Sequence, residues 1–178
     1  MAENSDGSGS ARHHMQHYNA AADLIERNLA VRPEKIAYID DNGCYTFAEL
    51  AERVNRCAHA LCELGATLES RIMVCLSDTI DFPSVFLGAI KAGLVPVAVN
   101  TLLTSGDYDF MLRDSRARIL VVSESLLPVF KPILAGQPFL SHVVVSGPSA
   151  SGEPRLAELM ARAKNEFTVA PTRPDDAC

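Results

Sequence analysis

Between residues 72 and 145 four short apolar runs recur: IMVCL at 72–76, VPVAV at 95–99, ILVV at 119–122 and HVVV at 142–145. The stretches between them carry apolar residues at helical spacing instead. Continuous apolar runs of this length, rich in β-branched residues, read as strands covered on both faces. Strands that alternate with helices are joined by crossovers and therefore run parallel. The sequence predicts an α/β layered fold, a mostly parallel sheet flanked by helices. With 178 residues, 48% of them hydrophobic and 21% charged, the chain can bury the core of one ordinary domain.

The local signals agree with that plan. Asn19 is placed to cap a helix through Ala21, Leu24, Ile25 and Leu29 that ends before Pro33. Residues 36–39 read as a strand, turned by Asp41-Asn42-Gly43 into a second at Cys44 and Tyr45, with Asn-Gly expected to supply the positive φ angles of a tight hairpin. Thr46 and Glu49 have capping-box spacing ahead of Phe47, Leu50, Val54, Ala58 and Leu61, a long helix ending at Gly65. Val85, Phe86, Ala89 and Ile90 continue helically to Gly93, which suits a left-handed C-terminal cap. Thr104 can cap a helix through Tyr108, Met111 and Leu112; a proline-interrupted helix covers 126–134 and a last one 156–163. The Gly, Ser and Pro-rich stretch 146–154 reads as a surface loop, and residues 1–17 as a disordered polar tail with no signal-peptide core.

Several function classes are disfavoured. Sixteen Lys and Arg against 22 Asp and Glu give a net charge of -6, which repels a nucleic-acid backbone. Arg53 and Arg56 lie among Glu49, Glu52 and Glu63 and read as a solvated mixed-charge face. Five cysteines (Cys44, Cys57, Cys62, Cys75 and Cys178) lack CxxC spacing, so reduced thiols, and hence a cytoplasmic location, are expected. His59 has no second imidazole at ligand spacing. No apolar run approaches the roughly 18–20 residues that span a bilayer, so no membrane partner is expected. There is no GxGxxG, GxxxxGK[ST], GxSxG or HExxH, and Ser149-Ala150-Ser151-Gly152 reads as linker. Asp78 and Asp81 sit where a strand gives way to a helix, and the helix dipole accounts for both without a ligand.

Two stretches resemble a known family. Tyr45-Thr46-Phe47-Ala48-Glu49-Leu50 is similar to the first core motif of the adenylate-forming enzymes, and Gly88-Ala89-Ile90-Lys91-Ala92-Gly93-Leu94-Val95-Pro96-Val97 to the second. Within that superfamily of acyl-CoA ligases, luciferases and adenylation domains, residues 18–25 and 97–104 look like the benzoate- and hydroxybenzoate-CoA ligases.

The resemblance, which covers 18–178, implies the incomplete N-terminal domain of an AMP-forming aryl-CoA ligase. The complete enzyme would use ATP, Mg2+ and CoA to convert an aromatic carboxylate to its CoA thioester. In the family the phosphate loop, the ATP site and a C-terminal lysine do the chemistry, and all are expected beyond Cys178. No catalytic, cofactor-binding or metal residue is therefore assigned, no cofactor is expected on this segment, and the segment alone is expected to be inactive. Strands left open by a missing continuation, with 143–145 and 119–122 beside them, would favour association between copies, so homo-oligomer formation stays open. Two other readings stay open as well: a self-contained nucleotide-binding module of flavodoxin-like design, and a non-catalytic interaction protein.

Overall fold

The computed structural model describes residues 17–148 and 152–177. The tail expected over 1–17 thus falls, apart from His17, outside the described residues, as do Cys178 and three residues of the Ser149–Gly152 stretch.

Helix α1 (Ala20–Val31) starts at Asn19, whose side-chain oxygen accepts from Ala22 N–H at 3.1 Å. Strands β1 (Ile36–Asp40) and β2 (Gly43–Thr46) form an antiparallel hairpin, a two-stranded sheet of its own. Its turn differs from the expectation. Asn42 keeps a negative φ, and the turn is closed instead by Asp40, whose carboxylate accepts from Asn42 N–H at 2.8 Å and Gly43 N–H at 3.1 Å. An aspartate side chain bonding its own backbone two residues on replaces the left-handed pair. Helix α2 (Phe47–Glu63) opens on the full Thr46–Glu49 capping box.

The main sheet is parallel throughout, in the order β4-β3-β5-β6, with β3 at Arg71–Cys75, β4 at Val95–Ala98, β5 at Ile119–Ser123 and β6 at His142–Ser146. Helices α3 (Asp81–Lys91), α4 (Ser105–Ser115), α5 (Leu127–Leu134) and α6 (Leu156–Arg162) complete the fold. Because side chains alternate along a strand, each strand feeds two cores. Ile72, Val74, Ile119, Val121 and Val144 pack under α2, α3 and α6, whereas Met73, Cys75, Leu120, Val122 and Val145 pack under α4 and α5. A third cluster joins α1 and the hairpin to α2 through Ile25, Leu50, Val54 and Ile80.

Two glycines are required by geometry. Gly93 has φ +71 and ends α3 as expected. Gly88 lies where α2 and α3 cross: a Cβ there would sit 2.7 Å from Cys57 Cβ and 2.9 Å from the Val54 carbonyl oxygen. The edge expectation needs correcting. Residues 119–122 belong to β5, which lies between β3 and β6 and is no edge. On the far side of β6, Val145 N–H donates to Pro154 O at 2.9 Å and pairs with Arg155 in a parallel bridge, so the chain itself covers that end of the strand.

Candidate site at the carboxyl edge of the sheet

In an open α/β sheet, ligands bind beyond the carboxyl ends of the strands, where the winding direction reverses. Here the chain moves from β3 to β4 on one side, then crosses to β5 on the other. The reversal therefore lies between β3 and β5. Ser77 N–H donates to Ser123 Oγ at 2.9 Å across that gap. A crevice of about 540 Å³ opens there, lined among others by Ser77, Thr79, Ser123, Ser146, Asp81 and Arg155. Each of three strands runs out into a serine, as VCLS, LVVS and VVVS, with Ser123 and Ser146 in register on neighbouring strands. That repeat is visible in the sequence as an apolar run closed by serine, a signal distinct from a glycine-rich loop.

The charges beside the crevice are already engaged. Asp81 accepts from the Arg53 guanidinium and from Ser146 Oγ–H at 2.6 Å. Arg53 also donates through Nε to Ser84 Oγ at 3.2 Å and lies over the Tyr45 ring at 5.9 Å. Asp40 accepts the Ile80 N–H at 2.8 Å; this and its turn bonds hold its carboxyl below the usual range. The amino end of α3 is thus served by the protein's own carboxylates, so a phosphate arriving there would meet two anions. Asp81 does sit in the first turn of α3, as the dipole argument requires, while Asp78 is exposed in the preceding turn.

Arg53 and Arg56 do not form a solvated face. Arg53 ties α2 to α3, and Arg56, paired with Glu52, donates to the carbonyls of Met160 at 3.2 Å and Ala163 at 3.1 Å, closing the end of α6. Their i, i+3 spacing among glutamates is that of an exposed helix, and only the approach of α3 and α6 turns both inward.

The thiols of Cys57, Cys62 and Cys75 behave as small apolar groups. Burial pushes Cys57 far above the usual thiol range and also raises Cys62 and Cys75, the last against a hydrogen bond with Tyr108. His59 meets the Glu166 carbonyl through Nε2 and packs edge-on against Phe167. Among the described residues no three His, Cys, Asp or Glu side chains gather as a metal site. No helix among them is long and apolar enough to cross a membrane.

Known proteins resemble this chain in sequence and fold. Residues 25–178 match the family model described as AMP-binding enzyme. The chain is 56% identical over 165 residues to benzoate–CoA ligase of Thauera aromatica, covering 92% of this chain and 31% of that protein. It is 40% identical over 163 residues to 4-hydroxybenzoate–CoA/benzoate–CoA ligase of Rhodopseudomonas palustris, covering 91% and 30%. Among solved structures, a benzoate CoA ligase from Burkholderia xenovorans LB400 superposes with TM-score 0.82 at 41% identity, over 89% of this chain and 31% of that one. An anthranilate CoA ligase in complex with anthranoyl-AMP gives 0.86 at 31% identity, over 91% and 30%. The chain thus spans about a third of the length of these relatives. With the family model covering most of its length, and with both core motifs on elements of the expected kind, the chain belongs to the AMP-binding enzyme family.

Proposed function

We propose that this chain is the N-terminal α/β part of a cytoplasmic AMP-forming aryl-CoA ligase that acts on benzoate or a close aromatic carboxylate in aromatic-compound degradation. The 56% identity to a benzoate–CoA ligase over 92% of the chain carries the proposal. In such a reaction the carboxylate displaces pyrophosphate from ATP to give an acyl-adenylate. The CoA thiol then displaces AMP to give the thioester.

The described residues do not fit the nucleotide. Asp40 and Asp81 occupy the start of α3, and the three strand ends carry single serines where a Gly and Ser/Thr-rich loop with a lysine would be needed. We therefore place the groups that hold ATP, Mg2+ and CoA outside residues 18–177, and assign no catalytic residue within them. The segment's contribution is a rigid platform, with Arg53, Asp81 and Ser146 joining α2, α3 and β6 beside the crevice.

A chimera tests this reading. Residues 18–177 replace the matching segment of the Thauera aromatica benzoate–CoA ligase, and benzoate-dependent exchange of pyrophosphate into ATP is measured. Activity within about tenfold of the parent enzyme is expected, and none from the 178-residue chain alone. A folded chimera that stays silent across a panel of aryl acids overturns the assignment, as does exchange by the isolated chain. A self-contained nucleotide module has the doubly wound strand order in its favour. Calorimetry showing one nucleotide bound per isolated chain would select it.

A further inference from the structure

After α6 the described residues have no regular structure, yet 163–172 are held closely, largely by α2 and the end of α3. Arg56 takes the Ala163 carbonyl, Asn55 Nδ2 donates to Asn165 O at 2.7 Å, and His59 takes Glu166 O. Ala170 N–H donates to Lys91 O at 3.0 Å. Thr172 and Tyr18 then exchange two bonds: Tyr18 N–H to Thr172 O at 2.8 Å, and Thr172 Oγ–H to Tyr18 O at 2.6 Å. Of this segment's apolar side chains, Ala163 is buried where the segment leaves α6, and beyond it Phe167 reaches the main core only as a partly buried neighbour. A segment tied mostly by side-chain groups and by two isolated backbone bonds, with little apolar burial beyond Ala163, can leave without dismantling a helix or sheet.

Lys91 lies behind this arrangement. It is buried, and Nζ donates to Asn55 Oδ1 at 2.7 Å; burial lowers its pKa, and the charge of Glu26 opposes that. An ammonium only donates, so it fixes which end of the Asn55 amide points at it. With Oδ1 turned to Lys91, Nδ2 must face Asn165. The lysine thus sets the one Asn55 orientation that holds the segment.

We propose that residues 163–172 form a releasable strap over the seam between α2 and α3, with Lys91 as the catch that orients Asn55 to hold it. This does not rest on the ligase reading. Amide hydrogen exchange on the purified chain tests it. Asn55→Asp keeps the acceptor for Lys91 and removes the donor to Asn165. Lys91→Met removes the orienting donor while keeping the stem's bulk. In each variant, exchange in 163–172 and at Tyr18 should accelerate about tenfold while β3 and β5 stay unchanged. The double variant should go no further than the faster single, because both act through one hydrogen bond. Unchanged strap exchange in Asn55→Asp overturns the proposal, as do acceleration of β3 and β5 in step with the strap and full additivity in the double variant. If Lys91→Met does not fold, Asn55→Asp decides alone, since Asn55 is part-exposed.

Discussion

Gly88→Ala should destabilise this protein, although the same change in most helices stabilises. Alanine in place of glycine inside a helix gains about 1 kcal/mol of propensity. At Gly88 the added Cβ would meet Cys57 Cβ at 2.7 Å, the Val54 carbonyl oxygen at 2.9 Å and the Ala58 nitrogen at 3.1 Å. Carbon pairs are most favourable at roughly 3.5–4.0 Å, so relief needs a shift of nearly an ångström. Two of those three atoms are backbone and cannot rotate away, so α2 and α3 must separate, and the buried Val54, Cys57, Ala58, Val85 and Ala89 lose contact. Overpacking of a core typically costs about 1–3 kcal/mol and the lost contacts add to it, which leaves a net loss of about 1–2 kcal/mol after the propensity gain. Gly106→Ala is the control. It lies in the first turn of α4, where a Cβ would have Thr104 Oγ1 as its nearest neighbour at an ordinary 3.8 Å, and it should gain about 0.5 kcal/mol. Urea denaturation of both variants should move their midpoints in opposite directions. A higher midpoint for Gly88→Ala would show that the two helices do not approach so closely.

Gly93→Val should cost more than about 1 kcal/mol by chemical denaturation, because it combines a left-handed φ with a Cβ placed 2.9 Å from Ala170 Cβ; an unchanged midpoint would remove Gly93 from that cap. Arg53→Met should cost about 1–2 kcal/mol by leaving Asp81 without its guanidinium, and adding Asp81→Asn should recover part of the loss; strict additivity would show that the pair does not couple. Asp40 has a lowered folded pKa, so its support of the hairpin is complete above its ordinary value of 3.8 and fades as the pH falls through the folded value. Exchange of the Ile80 and Gly43 amides should quicken over that acid range in the wild type and already at neutral pH in Asp40→Ala. Equal protection in both proteins at neutral pH would refute this role of Asp40.

Local features were legible in the order of residues. Asn19, Thr46 with Glu49, and Thr104 each cap the helix expected of them, since a cap depends on a side chain and a backbone amide only a few residues away. The four strands lie where the apolar runs stand, because burial on both faces leaves no polar position to break them. Gly93 followed from the same logic, whereas Asp40 escaped notice because the Asn-Gly pair beside it offered a competing turn chemistry. Features that depend on distant partners emerged only with the packed fold. The order β4-β3-β5-β6, which places the reversal at β3 and β5 and makes 119–122 interior, is a choice among crossovers that share one periodicity. The same holds for Arg53 and Arg56: their spacing is that of any wet helix, and a long cation becomes a half-buried tie only when α3 and α6 arrive with a carboxylate and open carbonyls. Gly88 is the clearest instance, a residue mildly unfavourable to its own helix and required only because α2 crosses it at backbone distance.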